Sequence, residues 1–442
     1  MASPRKVDLL IEGGTILCLD STLRILNHHG IAIDQGKIVC LYPLGESEYE
    51  ADTKLDASDC IVMPGLINAH SHLPMTYFRG LADDLPLDKW LHEYIWPLEA
   101  RMLDSELIYH ASLHGAAEMI KSGITQTHEM YFDMPAIADG CSKAGLRAMI
   151  GEAICEMKTD SAELKDCLGQ KVLQLRQRYA GNHLIDFNLA PHSIYACSRQ
   201  TLQKCVQLAR EHNILLHMHL SETKAEVEQC RSLTGLKPVF YLKEIGMLEC
   251  PAVYAHGIWV EPDEIDLLAD SPSSIALCTE SHLKLSSGII PLSDYLDQGV
   301  NICLATDGVA SNNNLDLFSE MDFTAKLHKV VNNNPSFLPA REVLKMATIN
   351  AARALGVAEQ RGSLEAGKDA DLCILSLDEL QCQPIYNPYS HVVYAMSSRN
   401  LRDVIIAGEI VLRQGKLTRV DEAEIIRTAK SYQAKISAAL KL

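Results

Sequence analysis

Histidines and one aspartate close five short apolar segments spread along the chain. His70 and His72 stand two residues apart, so on a β-strand both imidazoles would lie on one face. Imidazole nitrogens combined with one carboxylate suit zinc or a similar divalent ion and leave a position for water. The segments therefore predict hydrolytic chemistry at a metal. The polar residues at their ends are His70 with His72, His192, His219, His256 and Asp307.

The residue two positions after the apolar segment 185–190 indicates whether the site holds one metal ion or two. A binuclear centre of this kind would need a carboxylated lysine there to bridge two metals. This chain has His192 at that position, which favours a single ion. Zinc is the first expectation, with iron and manganese as alternatives, because the spacing does not separate these metals.

Eight short apolar segments must position these side chains. Helix-like stretches separate most of them, and the clearest is residues 104–121, where Asp104 or Ser105 can cap the start. Strands alternating with helices predict a (β/α)8 barrel of the TIM type, in which the carboxyl ends of the strands meet at one mouth. The segments are residues 61–68, 124–130, 146–154, 185–190, 214–220, 252–255, 274–278 and 301–306.

The two ends of the chain differ from this middle region. The first sixty residues contain short runs rich in Ile, Val and Leu between glycine turns, and similar runs return at 370–375 and 401–412. We expect one small β-sandwich domain formed by both chain ends, with a helix at 421–442. The predicted limits are 1–61 and 362–442 for the sandwich and its terminal helix, and 62–361 for the barrel.

Composition narrows the class of protein. Of 442 residues, 47% are hydrophobic, which excludes general disorder. The formal net charge of −17 repels polyanions, so nucleic acid is not an expected partner. Apolar runs stay well below the ~18 residues of a membrane span, so a membrane is not expected either. The fourteen cysteines stand apart without a CxxC pair, which favours a reduced, cytoplasmic protein.

The chain resembles the amidohydrolase superfamily over nearly its whole length. Within it, the chain is similar to the 5-methylthioadenosine/S-adenosylhomocysteine deaminases and the related chlorohydrolases. An HxH pair alone is weak evidence, whereas an ordered series of motifs is specific. The matching stretches are MPGLINAHSH at 63–72, FRGLADDLPL at 78–87, IWPLE at 95–99, TDG at 306–308 with SNNNLD at 311–316, and GSLEAGK at 362–368.

The resemblance implies a ligand set and a reaction. His70, His72, His219 and Asp307 correspond to the metal ligands of the family. The implied enzyme is a metal-dependent aminohydrolase that uses a metal-activated water to displace ammonia from a cyclic amidine. Asp307 would accept the proton of that water.

Further residues correspond to the catalytic and substrate-binding positions of the family. Glu222 would be the proton shuttle to the substrate ring, and His256 would orient the water or help to deprotonate it. Glu99 would hold ribose hydroxyls, and His192 would contact the nucleoside; the alternatives are an ordinary surface acid and a structural hydrogen-bonding residue. We expect His217 to be a core residue one layer below His219.

Two strand ends depart from the family pattern. At the seventh, Leu277, Thr279 and His282 stand where His, Pro and Asn are usual. At the second, Glu129 replaces the usual Asp and follows His128. None of these is an implied metal ligand, so hydrolytic chemistry is expected to survive. Both departures are expected at the barrel mouth, where they would reshape the pocket.

The leading functional hypothesis is deamination of adenosine-type nucleosides, namely 5′-methylthioadenosine, S-adenosylhomocysteine and adenosine. A second hypothesis keeps the metal site but changes the ring or the leaving group, as in guanine or pterin deamination or chloride displacement from a triazine. A metal-free assembly protein is the third, and retention of the whole ligand set argues against it. The resemblance also suggests a homo-oligomer.

Overall fold

A computed structural model describes residues 5–45, 48–85, 87–156 and 161–440. Eight parallel strands, paired in chain order, form its centre and confirm the predicted barrel. Their carboxyl ends carry the candidate site. The barrel strands are β8 (Leu66–Ser71), β9 (Ile124–Tyr131), β10 (Arg147–Ile154), β11 (Ile185–Pro191), β12 (Leu216–Leu220), β13 (Ala252–His256), β14 (Ser273–Leu277) and β15 (Asn301–Leu304).

The first predicted barrel strand, 61–68, is wrong as a single element. The chain divides it at Gly65 into β7 (Cys60–Pro64), which belongs to a second sheet, and β8. A Cβ on Gly65 would lie 2.2 Å from the Thr125 side chain, so only glycine lets the chain pass this close to Thr125 on β9. Both strands are fully buried, which is why their apolar residues read as one continuous run.

The barrel closes between β8 and the end of β15 through side-chain as well as backbone contacts. The Asp307 backbone N–H donates to the carbonyl of His70 at 3.1 Å. Asn68 accepts from the Thr306 backbone N–H at 3.0 Å and donates to the Thr306 hydroxyl at 2.7 Å. This seam therefore fixes the positions of His70 and Asp307 relative to each other.

The chain ends form two further sheets, as expected. One has the order β5-β4-β1-β6 and the other β19-β18-β17-β16-β7-β2-β3. Buried side chains of both sheets, among them Ile31 and Ile374, share one apolar cluster. The predicted domain limits stay predictions. The strands are β1 (Arg5–Glu12), β2 (Thr15–Leu17), β3 (Ile25–Asn27), β4 (His29–Asp34), β5 (Lys37–Pro43), β6 (Tyr49–Asp56), β7 (Cys60–Pro64), β16 (Leu372–Ser376), β17 (Leu401–Ile406), β18 (Glu409–Arg413) and β19 (Lys416–Leu417).

Helices surround the barrel. The helix predicted over 104–121 is present, and the Asp104 carboxylate accepts from the Leu107 N–H as its cap. The described part of the terminal helix ends at Ala439. The helices are α1 (Leu87–Trp90), α2 (Trp96–Met102), α3 (Ser105–Lys121), α4 (Met134–Ala144), α5 (Ser161–Arg178), α6 (Arg199–His212), α7 (Lys224–Thr234), α8 (Pro238–Glu244), α9 (Pro262–Ala269), α10 (Thr279–Leu285), α11 (Leu292–Asp297), α12 (Leu317–Val331), α13 (Ala340–Met346), α14 (Ile349–Ala354), α15 (Pro388–Tyr394) and α16 (Glu422–Ala439), with a π-helical turn at Leu91–Ile95 and 3-10 turns at Leu73–Phe78, Met247–Glu249, Leu380–Cys382 and Ser398–Asn400.

The structure bears on two expectations drawn from the composition, those about membrane spans and about cysteines. Among the described helices, none combines the length and the apolar character needed to cross a membrane. The cysteines whose side chains the structure describes are free thiols, and all of these except Cys40 are buried. Most of them therefore pack as small apolar side chains.

A buried ionic cluster joins the barrel to the end sheets. Arg147, at the start of β10, donates to the Asp371 carboxylate at 2.7 and 3.2 Å and lies 3.3 Å from Asp369. Arg361 donates to Asp369 at 2.9 Å. Removal of one partner from such a cluster leaves an uncompensated buried charge.

We expect Arg147→Met to lower the free energy of unfolding by about 3–5 kcal/mol, because Asp371 would lose its main partner. The melting temperature at a fixed scan rate measures this. Lys326→Met is the matched control, since the Lys326–Asp322 pair is exposed and is worth about 0.5 kcal/mol or less. Equal melting temperatures of the two variants would contradict a stabilising role for the cluster.

Candidate active site

The four expected metal ligands come together at the carboxyl ends of three barrel strands. His70 lies on β8 and His72 directly follows it, His219 lies on β12, and Asp307 follows β15. The Nε2 atoms of His70 and His72 are each 3.3 Å from Asp307 Oδ1, and His72 Nε2 is 3.4 Å from His219 Nε2. Three imidazole nitrogens and one carboxylate oxygen therefore converge on one point.

Backbone carbonyls orient two of these imidazoles. His72 Nδ1 donates to the Met130 carbonyl at 2.5 Å, and His219 Nδ1 donates to the His192 carbonyl at 2.9 Å. With the hydrogen on Nδ1, each Nε2 keeps its lone pair for a ligand. The expected substrate-contacting residue His192 thus also supports a ligand through its backbone.

The third imidazole, His70, is oriented by His217. Their Nδ1 and Nε2 atoms lie 2.8 Å apart. His217 is fully buried and stacks on His128 with ring centroids 3.7 Å apart, and His128 in turn contacts Asn188 at 2.6 Å. The expected core position of His217 is confirmed, and the structure adds a contact that period-2 spacing does not reveal.

The two oxygens of the Asp307 carboxylate have different partners. Its Oδ2 accepts hydrogen bonds from Ser281 at 2.7 Å and Ser311 at 2.8 Å, which leaves Oδ1 facing the histidines. Burial alone would raise the pKa of Asp307, but the imidazoles of His70 and His72, 3.3 Å from its Oδ1, hold it well below the usual range. Asp307 is therefore an anion at neutral pH.

The residues fit a divalent ion. Within the described chain, His70 Nε2 is buried and has no hydrogen-bond partner, although it points at Asp307 from 3.3 Å. Burial lowers the pKa of His70 to about 4 and that of His219 well below its usual value, so both imidazoles are neutral and can donate a lone pair. Burial would lower the pKa of His72, but the contact with Asp307 raises it to about 9, so an ion bound here would displace a proton from His72. Three imidazoles and one carboxylate are a donor set that zinc takes.

Glu222 and His256 lie beside the ligand set. His256 Nε2 is 3.7 Å from Glu222 Oε2, and the Ser287 hydroxyl is 3.4 Å from Glu222 Oε1. Burial, reinforced by the charge of Asp307, raises the pKa of Glu222 to about 8. The carboxyl group is therefore protonated at neutral pH and can donate a proton.

Glu226 is a functional residue that the sequence reasoning did not single out. Its two carboxylate oxygens accept from the backbone N–H groups of Ser221 at 2.9 Å and Glu222 at 2.8 Å. Ser221 has a positive φ of 51°, so this clamp holds a strained turn that directs Glu222 toward the ligands. The available signal was Thr223 followed three residues later by Glu226, the pattern of a helix start.

The site lines a cavity that is open to solvent. Glu99 is 4% exposed, which excludes the surface-acid alternative, and it accepts a hydrogen bond from the Tyr131 hydroxyl at 2.5 Å. His192 also faces the cavity. The walls are rich in aromatic and apolar side chains, including Trp90, Trp96, Tyr131, Phe132, Tyr195, Met75, Met130 and Leu285.

The departures from the family pattern lie behind the site rather than in the cavity wall, which corrects the expectation that they reshape the pocket. None of the five is among the described residues that line the cavity. Glu129 accepts from the Ser71 hydroxyl at 2.6 Å and the Leu73 N–H at 2.7 Å, and so supports the strand end that carries the ligands. Leu277 is buried in the core, and Thr279 contacts Thr324.

Comparison with known proteins agrees with this geometry. The amidohydrolase family model matches residues 61–411. A 5-methylthioadenosine/S-adenosylhomocysteine deaminase of Thermodesulfovibrio yellowstonii is 39% identical over 424 residues, 96% of this chain and 94% of its own length. A 5′-deoxyadenosine deaminase of Methanothermobacter thermautotrophicus is 40% identical over 391 residues, 88% of this chain and 90% of its own length.

A solved structure is similar over the same extent. The zinc-bound adenosine deaminase from Xanthomonas campestris matches with a TM-score of 0.95 and 34% identity, covering 98% of this chain and 100% of that one. This protein therefore belongs to the amidohydrolase family, whose enzymes depend on a metal.

We expect His217→Leu to weaken binding of a divalent ion by ~10- to 100-fold, because His70 would lose the partner that orients it. Zinc affinity measured in competition with a chelating dye tests this. His114→Leu is the control, since His114 is a partly buried imidazole on α3 beside Tyr77. Unchanged affinity in His217→Leu would show that the contact does not support the ligand.

Proposed function

We propose that this protein is a hydrolytic deaminase of adenosine-type nucleosides: 5′-methylthioadenosine, S-adenosylhomocysteine and adenosine. The products would be ammonia and the corresponding inosine analogue. The observation that carries the proposal is the placement of Glu222 beside the ligand set, in a cavity that Glu99 also lines. Burial raises the pKa of Glu222 to about 8, which suits a proton donor. The similarity to deaminases that are 39–40% identical supports the choice of substrate.

In this proposal His70, His72, His219 and Asp307 hold one divalent ion. Zinc is the proposed metal, supported by the zinc in the related Xanthomonas campestris structure, with iron and manganese as alternatives. A divalent ion in such a site lowers the pKa of a water toward ~7, which provides a nucleophile at neutral pH.

The catalytic groups of the chain then divide the proton transfers. Asp307 Oδ1 faces the histidines and accepts the proton of the attacking water. Glu222 donates its proton to the ring nitrogen next to the carbon under attack, which neutralises the charge that develops there. His256 Nε2 lies close enough to Glu222 to orient the same water. Asp307 would then pass its proton to the amino group, which leaves as ammonia when the C–N bond breaks and the attacking oxygen becomes a carbonyl. The hydroxyl proton released from that oxygen would restore Glu222.

Substrate recognition depends on Glu99 and His192. Glu99 lines the cavity and accepts from the Tyr131 hydroxyl, and a carboxylate can accept several hydrogen bonds, so ribose hydroxyls would donate to it as well. His192 lies beside the ligand His219, with ring centroids 4.5 Å apart, where it can contact the nucleoside. The aromatic walls suit a planar purine.

The alternative is a deaminase or chlorohydrolase of another nitrogen heterocycle, such as guanine, a pterin or a triazine. The same ligand set would serve that chemistry. A buried carboxylate at Glu99 favours a ribose-bearing substrate, because a bare ring offers it no hydroxyl donors.

The remaining expectations are part of the proposal. We propose a cytoplasmic location, a homo-oligomeric assembly, and small-molecule substrates rather than nucleic acid. The negative net charge of −17 supports the last point. The division into residues 62–361 and a domain formed by 1–61 with 362–442 is proposed on the same footing.

Glu222→Gln should retain metal and lower kcat by ~100- to 10,000-fold, since glutamine fills the same volume but carries no acidic proton that it can transfer. Ammonia release and metal content are measured together. Glu228→Gln is the matched control, because Glu228 is exposed on α7, the helix that begins just after Glu222. Near-normal turnover in Glu222→Gln would exclude Glu222 as the proton donor.

The substrate class is tested by ammonia release from adenosine, 5′-methylthioadenosine, S-adenosylhomocysteine and guanine, and by chloride or ammonia release from substituted triazines. We expect kcat/KM to be at least ~100-fold higher for the nucleosides than for the bare rings, because a nucleoside brings ribose hydroxyls that can donate to Glu99 and a bare ring brings none. Activity on a bare ring without conversion of any adenosine would replace the proposal with its alternative.

A further inference from the structure

His282 lies directly behind His256. It replaces the Asn that is usual in the family pattern, and it is 3% exposed on α10, the helix after β14. Its Nε2 is 3.0 Å from His256 Nδ1, with the ring centroids 5.2 Å apart. A departure from the family pattern therefore contacts a proposed active-site residue.

His256 is a buried residue in an unusual backbone conformation. Its backbone has a φ of 77°, which residues other than glycine rarely adopt, and the residue is 1% exposed. Nε2 faces Glu222 at 3.7 Å, so Nδ1 is the atom through which the protein can set the tautomer of the ring.

The first turn of α10 supports two groups of the site. Ser281 donates to Asp307 at 2.7 Å, and the adjacent His282 contacts His256. Thr279, a second departure from the family pattern, is 2.6 Å from Thr324 on α12 through their hydroxyls. This contact ties the helix start to its neighbour and fixes the position from which His282 reaches His256.

We propose that His282 is a positioning residue that accepts a hydrogen bond from His256 Nδ1–H and thereby keeps the lone pair of His256 Nε2 directed at the reacting water. A hydrogen bond between two neutral imidazoles requires one donor and one acceptor, so the tautomers of His256 and His282 are coupled. The usual Asn would accept the same hydrogen through its side-chain oxygen. The inference rests on the proposed role of His256.

A competing explanation uses the same side chains as ligands. Donor atoms of His256, Cys278 and His282 lie within 4.8 Å of one another and are all buried. The 3.0 Å separation between the two imidazole nitrogens is that of a hydrogen bond, which favours the positioning role. Metal content distinguishes the two explanations, because a second ion would raise it to two per chain.

The experiment compares His282→Leu, His282→Asn and His328→Leu in the metal-loaded enzyme, with 5′-methylthioadenosine as substrate. We expect His282→Leu to lower kcat by ~10- to 100-fold while KM stays within about threefold and metal content stays at one per chain. His282→Asn should stay within about fivefold of the unmodified enzyme. His328→Leu is the control, since His328 is a buried imidazole on α12 whose ring nitrogens have no hydrogen-bond partner among the described residues.

His256→Leu and the double variant His256→Leu/His282→Leu complete a cycle. If His282 acts through His256, the double variant is no slower than His256→Leu alone. Normal kcat in His282→Leu beside a slow His256→Leu would overturn the inference and leave the proposed function intact. Normal kcat in His256→Leu would instead contradict the proposed role of His256, and two ions per chain would replace the positioning role with a second metal site.

A spectroscopic measurement does not depend on the folding of the leucine variant. In enzyme labelled with ¹⁵N at histidine and loaded with zinc, His256 should carry its hydrogen on Nδ1, with the signal assigned by its loss in His256→Gln. A hydrogen on Nε2 would overturn the proposed direction of the hydrogen bond.

Discussion

The buried carboxylate of Asp307 is the group on which the site depends. A buried anion is unfavourable unless hydrogen bonds or a cation compensate it. Here Ser281 and Ser311 satisfy one oxygen, and the imidazoles of His70 and His72 face the other. The barrel seam places Asp307 where this compensation is available.

The histidines converge because each is held from its far side. Carbonyls hold His72 and His219 at Nδ1, and His217 holds His70. The Nε2 atoms are thereby committed to one point before any ion binds. Without these partners, three imidazoles around one carboxylate would leave buried polar groups unpaired. The carbonyls and His217 therefore account for the close packing of the three imidazoles around Asp307.

The sequence predicts the part of the site that depends on local periodicity. HxH spacing at 70–72, strand ends at His219 and Asp307, and the capped helix after Asp104 all follow from residues within a few positions of each other. It does not predict the division at Gly65, because both resulting strands are fully buried and the constraint comes from Thr125 on another strand. The contacts of His217 and His282 are likewise tertiary, between residues 147 and 26 positions apart.

We propose that the protein deaminates an adenosine-type nucleoside with a single divalent ion held by three histidines and Asp307. Glu222 is the proton donor in this reaction. Stepwise return of zinc to metal-free protein, with ammonia release from 5′-methylthioadenosine followed at each step, tests it most directly. The account predicts a rate that rises linearly and saturates at one zinc per chain. Full activity before zinc is added, or saturation only at two zinc ions per chain, would contradict it.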